Sequence, residues 1–227
     1  MTEALYEPLR VAGPLVFAHI AQTLDGRIAT PGGSSRWISG QADIVHTHRL
    51  RALADAVVVG AGTVAADDPQ LTVRHCEGRS PVRVVIDTER RLGPDRIVFQ
   101  GGPPTIVACA ADRADSGAPG RAELLPLPRG ADGSVHLPAL AAALAGRGIE
   151  RLFVEGGGVT IGKFLRAGLL DRLHVVVAPV LLGAGIPVLA LPPVAEIGAA
   201  LRLPVRHVAL GDDMLFDLAI DRRMPPA

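Results

Sequence analysis

The chain has 227 residues, of which 48% are hydrophobic, 20% charged and 3% aromatic, with a mean hydropathy of +0.32. That composition supports a sizeable core, and the length suits one domain. The formal net charge is zero and the pI about 7.1, so no net field recruits nucleic acid or an anionic membrane, and scarce aromatic rings argue against a stacking platform for single strands.

Residues 1–13 carry acids and no apolar run, which reads as a loose end and not as a signal peptide. Residues 222–227 read as a second loose end, leaving 14–221 as the expected domain. The run Leu15–Ala21 predicts a first strand. A polar, glycine-bearing loop follows through Thr23-Leu24-Asp25-Gly26 and Ser34-Ser35-Arg36-Trp37; it suits the covering of a planar ligand, or a hairpin with a packed indole. Helical periodicity covers Gln41–Arg51. Strands are expected at Ala56–Gly60, Val82–Asp87 and Thr105–Cys109, then a loop-rich Ala110–Asp132 with one weak strand. A helix over Leu137–Ala145, a strand at Leu152–Glu155, a helix over Val159–Arg166 and a strand at His174–Ala178 complete an alternation that favours a parallel sheet covered on both faces. Leu201–Leu210 and Met214–Ile220 flank the turn signal Gly211-Asp212-Asp213, which predicts an antiparallel C-terminal hairpin. No apolar run approaches the roughly 20 residues of a membrane span, so a cytoplasmic protein is expected. Cys76 and Cys109 stand alone, which indicates neither a zinc site nor a disulfide framework.

The most informative stretch is Leu152–Leu165, LFVEGGGVTIGKFL. Its strand ends in Glu155, and three glycines lead into a helix whose first N–H groups suit a phosphate-bearing cofactor. Ala56–Arg74 repeats the strand-then-glycine theme. Gly157 through Gly162-Lys163 mimics a P-loop, but Phe164 stands where a hydroxyl must bind magnesium. Gly60-x-Gly62-x-x-Ala65 fits a relaxed dinucleotide fingerprint, yet Asp67-Asp68-Pro69 interrupts any crossover helix. His46 and His48, two apart on a helix, face different ways and cannot chelate together, so no metal is expected. His19 by itself reads as a packed or hydrogen-bonded histidine. Arg51 and Arg74 have the forked donors to grip a phosphate, although each alone reads as a solvated arginine. Glu155, at a buried strand end, needs a partner, and a ligand is a plausible one.

In order, TLDGRIAT (Thr23–Thr30), SSRWIS (Ser34–Ser39), LRALADAVVVGAGTVAADDPQLTVR (Leu50–Arg74), PVRVVIDTERR (Pro81–Arg91) and FVEGGGVTIGKFLRAGLLDRLHVVVAPVLLG (Phe153–Gly183) resemble the pyrimidine reductases of riboflavin biosynthesis. The resemblance implies an α/β, dihydrofolate reductase-like three-layer fold with a mostly parallel central sheet, an antiparallel C-terminal hairpin and a mobile loop at Trp37. It implies that NADPH delivers hydride to C1′ of the ring-opened imine of a phosphorylated ribosylaminopyrimidine, giving a ribitylamino product. Carried over by motif, Ser35, Arg51, Leu71, Arg74 and Glu155 face substrate. Ala21, Trp37, Thr63, Asp67, Thr88, Gly157, Gly158, Val159, Thr160, Ile161, Gly162 and Lys163 line the cofactor, with Thr88 and Arg90 or Arg91 at its 2′-phosphate. Glu155 and His19 are the expected catalytic residues, His19 standing where a lysine is common in the bifunctional bacterial enzymes. A homodimer is expected, without nucleic-acid or membrane partners. The zinc deaminase half that usually precedes this domain has no counterpart in the sequence. The competing readings are a same-fold reductase of dihydrofolate or a pterin, a non-catalytic NADP-binding module, and an NAD-dependent Rossmann dehydrogenase.

Overall fold

A computed structural model describes residues 3–115 and 117–221. In chain order its elements are β1 (Leu15–Thr23), β2 (Arg27–Ala29), α1 (Gln41–Ala52), β3 (Ala56–Gly60), α2 (Ala61–Asp67), β4 (Val82–Ile86), α3 (Ile97–Gln100), β5 (Thr105–Ala110), β6 (Glu123–Leu127), α4 (Leu137–Ala145), β7 (Arg151–Glu155), α5 (Gly158–Arg166), β8 (Arg172–Ala178), β9 (Ile186–Pro187), β10 (Val205–Leu210) and β11 (Asp213–Ala219). The chain divides into two compact units: the residues up to Thr47 with those from Glu155 onward, and His48–Val154.

The His48–Val154 unit holds a parallel array in the order β7-β3-β4-β5-β6. Val57, Val58 and Val59 of β3 and Val84 and Val85 of β4 are buried without alternation, as strands covered on both faces require. Leu137, Leu140 and Leu144 give α4 a buried stripe at helical spacing, and Pro138 sits in its first turn, where no N–H is needed. α2 stops where Asp68 turns left-handed at φ 41°, just ahead of Pro69. The weak strand expected within Ala110–Asp132 is β6, paired in parallel with β5.

In the other unit β1 pairs in parallel with β8, and β8, β11 and β10 follow antiparallel. The hairpin turns through Gly211 and Asp212, with Gly211 at φ 68°, so Asp213 already belongs to β11. The stretch before β1, expected to be loose, differs: two 3₁₀ turns, Glu3–Leu5 and Glu7–Leu9, bury Leu5, Tyr6 and Leu9. Turns this short have no periodicity to betray them. The expected loose end 222–227 lies outside the described residues.

Tyr6 is held by a buried polar chain. His19, His174 and Asp217 are register partners across β1, β8 and β11 and so share one face. His174 Nε2 lies 3.2 Å from Asp217 Oδ1, close enough for charge attraction but off the line of a good hydrogen bond. His174 Nδ1 meets His46 Nε2 at 3.0 Å, and His46 Nδ1 meets Tyr6 Oη at 2.9 Å. Asp217 is fully buried and ion-paired to Arg172 and Arg206. Burial alone would raise its carboxyl, but His174, Arg206 and Arg172 together hold it well below the usual range. An ionised Asp217 only accepts, which places the His174 proton on Nε2. Nδ1 then accepts from His46 Nε2–H, and His46 Nδ1 accepts from the tyrosine hydroxyl. The chain therefore runs one way with both rings neutral. Burial also pushes His174 below its ordinary value, against the pull of Asp217.

Two outcomes follow from the signs of these shifts. A histidine buried neutral binds fewer protons folded than unfolded, so stability is complete above about pH 6.5 and falls as pH drops below it; urea unfolding across pH will show a shallower fall in His174→Gln. Asp217→Ala leaves arginine charge unmatched beside a buried site and will cost about 3–5 kcal/mol in the same assay at neutral pH.

Candidate functional site

The turn after β7 runs through Gly156 and Gly157, both at φ 68°, a left-handed conformation that side chains resist. Gly157 caps α5 without a side-chain hydrogen bond, so the first-turn amides are not covered by a capping side chain. Gly158 and Gly162 answer to another constraint. A Cβ on Gly158 would lie 2.1 Å from the Val188 carbonyl oxygen, and one on Gly162 would lie 2.7 Å from that of Ala190. The α5 face carrying Gly158 and Gly162 is thus pressed against the 188–190 backbone, and Ile161 and Phe164 of the same helix are fully buried. Val159 is exposed, and Thr160 and Lys163 are half-buried.

His19 and Ala21 lie near the end of β1, and the His19 carbonyl accepts the Gly156 N–H at 3.4 Å. The His19 ring is buried, with Nε2 2.8 Å from Asp43 Oδ1 in α1. Burial pushes the Asp43 carboxyl up, but His19, a hydrogen bond from Ser39 and the nearby His46 bring it below its ordinary value. Asp43 escaped the sequence reading because nothing local marks an acid in a helix's first turn as a histidine's partner. Ser35 is half-buried in the loop between β2 and α1. Trp37, in the same loop, has φ 68° and an indole 81% exposed, which removes the hairpin with a packed indole. Earlier in the chain, Asp25 accepts the Thr23 hydroxyl and the N–H groups of Leu182 and Gly183, and these bonds lower its carboxyl to about 2. The TLDG segment is therefore a clamp on the 180s loop.

In the His48–Val154 unit the substrate candidates converge on Thr72. Arg51, in the last turn of α1, donates through Nη1 to the Thr72 carbonyl at 2.8 Å, while Arg74 Nη1 donates to the Thr72 hydroxyl. Arg51 is only 7% exposed, so reading it as a solvated arginine is corrected: α1 buries it as it ends, and the carbonyl receives it. Arg74 is exposed. Leu71 is fully buried and at φ 56°, a conformation a branched side chain adopts only where its surroundings impose it. His48 stands behind the loop: its Nδ1 lies 2.8 Å from the Arg74 amide and 3.4 Å from that of His75, and its Nε2 3.3 Å from Arg51 Nη1. Thr63 is half-buried in α2, and Asp67 is exposed at its end. Thr88 follows β4 and accepts the Val135 N–H at 3.2 Å. Arg90, at φ 55°, spends its guanidinium on the carbonyls of Arg113 and Gly117, whereas Arg91 is exposed. Among the described residues no group of three or more His, Cys, Asp or Glu side chains is placed to hold a metal ion, and no helix is long and apolar enough to cross a membrane.

The family described as the RibD C-terminal domain matches residues 14–216. The chain belongs to that family. The 2,5-diamino-6-ribosylamino-4(3H)-pyrimidinone 5′-phosphate reductase of Methanothermobacter thermautotrophicus is 37% identical over 217 residues, covering 91% of this chain and 98% of that protein. The riboflavin biosynthesis protein RibD of Bacillus amyloliquefaciens is 35% identical over 179 residues, covering 77% of this chain and 48% of that protein. Among solved structures, the diaminohydroxyphosphoribosylaminopyrimidine deaminase/5-amino-6-(5-phosphoribosylamino)uracil reductase of Thermotoga maritima superposes with a TM-score of 0.77 at 27% identity, over 95% of this chain and 58% of that one. The chain therefore spans about half of these two bacterial relatives and nearly all of the archaeal one. The α/β fold, mostly parallel with antiparallel C-terminal strands, is the dihydrofolate reductase-like fold of this family.

The close approach of α5 to residues 188–190 makes a prediction independent of any ligand. Gly158→Ala and Gly162→Ala will each lose about 1–3 kcal/mol in urea unfolding without added cofactor, because the new methyl meets backbone. A purely ligand-facing role would leave that stability unchanged.

Proposed function

We propose that this chain reduces a phosphorylated ribosylaminopyrimidine to its ribitylamino product in riboflavin biosynthesis, with residues 14–221 acting as one reductase domain. The observation that carries the reading is the family match over 14–216, joined to an archaeal relative aligned along nearly its whole length. The chain is an oxidoreductase using a nicotinamide cofactor, and the form we propose is NADPH. That relative's name specifies the diamino pyrimidinone, so the substrate proposed is the form not yet deaminated.

The residues present fit a dinucleotide. Gly156 and Gly157 form a bare left-handed turn into α5, and no side chain caps the first-turn amides, which is the donor set a pyrophosphate takes. Gly157 through Lys163 hold it there; Gly158 and Gly162 contribute backbone, since their α-carbons are pressed on 188–190. Ala21, Trp37, Thr63, Asp67 and Thr88 complete the cofactor set. Arg91, with Arg90 committed to carbonyls, is the cation proposed for the 2′-phosphate. When bound, the dihydronicotinamide supplies a hydride for C1′ of the opened ribosylamino group. The chain's own contribution is placement. Arg51 and Arg74 take the substrate phosphate, and Ser35, Leu71 and Glu155 face the remainder. His19, buried with its Nε2 held on Asp43, is the imidazole we propose to act beside the substrate. A homodimer is proposed, the exposed apolar side chains of Leu181, Ile186, Val194 and Ile197 being candidates for its contacts, and light scattering of the purified protein reports it. The proposed location is the cytoplasm.

The deciding assay follows NADPH absorbance with the diamino pyrimidine phosphate, its deaminated counterpart and dihydrofolate. Rapid oxidation with the first is expected; turnover of dihydrofolate alone overturns the reading. Arg74→Ala will raise the KM for the phosphorylated substrate about 10- to 100-fold with kcat little changed, the size of one lost charge-assisted hydrogen bond. Arg91→Ala will narrow the preference for NADPH over NADH in the same assay.

A further inference from the structure

His48 is 3% exposed, lies one turn before Arg51 on α1, and belongs to none of the groups so far given to substrate or cofactor. Its ring has a protonation state that the geometry decides. The Arg74 amide is a donor only and lies 2.8 Å from Nδ1, with the His75 amide at 3.4 Å on the same atom. Nδ1 must therefore present its lone pair, and the neutral ring carries its proton on Nε2. Nε2 lies 3.3 Å from Arg51 Nη1, a contact longer than the 2.8 Å to the Arg74 amide and one between two donors. The same Arg51 nitrogen already donates to the Thr72 carbonyl at 2.8 Å. One imidazole thus fixes the main chain at Arg74 and flanks the guanidinium of Arg51, and both arginines bond the residue between them in the loop, Thr72. The His75 ring closes the outer side, edge-on to His48 with centroids 4.5 Å apart.

We infer that His48 is the positioning residue of the phosphate grip: by accepting the Arg74 and His75 amides at Nδ1 it sets the loop from which Arg74 reaches and whose Thr72 carbonyl receives Arg51. This rests on the proposed reading that Arg51 and Arg74 take the substrate's phosphate. A residue that served only to fill the core would not depend on which ring nitrogen accepts. His48 does depend on it, because only an acceptor at the Nδ1 position receives the two amides.

Two substitutions separate the ring's nitrogens. In His48→Asn the amide oxygen stands where Nδ1 stood; in His48→Gln the amide reaches toward the Nε2 position and leaves the Arg74 amide without its acceptor. Steady-state kinetics are measured for both with the diamino ribosylaminopyrimidine phosphate and with its dephosphorylated form. His48→Gln is expected to raise the KM for the phosphorylated substrate about tenfold, with kcat and the KM for NADPH unchanged, the scale of one hydrogen bond supporting a charged contact. His48→Asn should stay close to the parent protein, and neither variant should alter the handling of the dephosphorylated substrate. An unchanged KM in His48→Gln, equal impairment in both variants, or a fall in kcat at constant KM overturns the inference. A parent protein that does not oxidise NADPH with the phosphorylated substrate instead overturns the proposed function. Nitrogen NMR of the unmutated protein gives a second readout independent of variant folding: His48 should show an unprotonated Nδ1 and a protonated Nε2, and the opposite tautomer overturns the inference by itself.

Discussion

The carboxylate of Asp217 has no exposed surface, and the arrangement around it follows from keeping that charge buried. Two arginines and a histidine surround it, and their donors outweigh the desolvation that would neutralise it. An anion that only accepts then dictates the proton on His174, which dictates the proton on His46, which makes the single tyrosine a donor. The hydroxyl of Tyr6 is reached 40 positions away from His46, so one acid in the last strand fixes the entry of the chain into the fold. Removing any interior member leaves its neighbour buried with a proton or lone pair facing the wrong way, which is why such a chain behaves as a unit.

The same logic governs α1, whose histidines at 46 and 48 do unrelated work. Two residues along a helix turn about 200°, so a side chain at one position cannot share its neighbour's surroundings. His46 enters the polar chain with His174 and Tyr6, and His48 the network of Arg51, Thr72 and Arg74. Spacing alone was enough to exclude joint chelation. It was silent on what each ring would meet, because the partners other than Arg51 are 26 to 128 residues away in sequence.

How much could be read beforehand follows that division between local and distant causes. The apolar runs of β3, β4 and β5 and the leucine stripe of α4 are local signals, and they locate those elements within a residue or so. The Gly211-Asp212 turn likewise declares its hairpin. The two 3₁₀ turns before β1 carry no such signal, since Leu5, Tyr6 and Leu9 are buried by distant partners and not by a pattern of their own. Among the candidate site residues, the glycines after Glu155 and the paired arginines stood out by residue type, at a strand end, a helix end and in a loop. Asp43 and His48 were not, because an acid or a histidine within a helix acquires meaning only from the ring or loop that folding brings to it.

The glycine run shows how one motif can answer two physical demands. Gly156 and Gly157 answer to backbone angle: at φ 68° a side chain costs about 1–2 kcal/mol of strain, whatever lies nearby. Gly158 and Gly162 are required by proximity: they sit on one face of a helix, four residues apart, and the 188–190 backbone lies within contact of both. A side chain at either pair is resisted for a different reason, and sequence treats all four alike. The packed pair anchors α5 against its neighbour, and the left-handed pair aims its first amides. The phosphate site proposed there would use main-chain donors on a helix held by contacts that a single added methyl would disturb, and not a flexible loop.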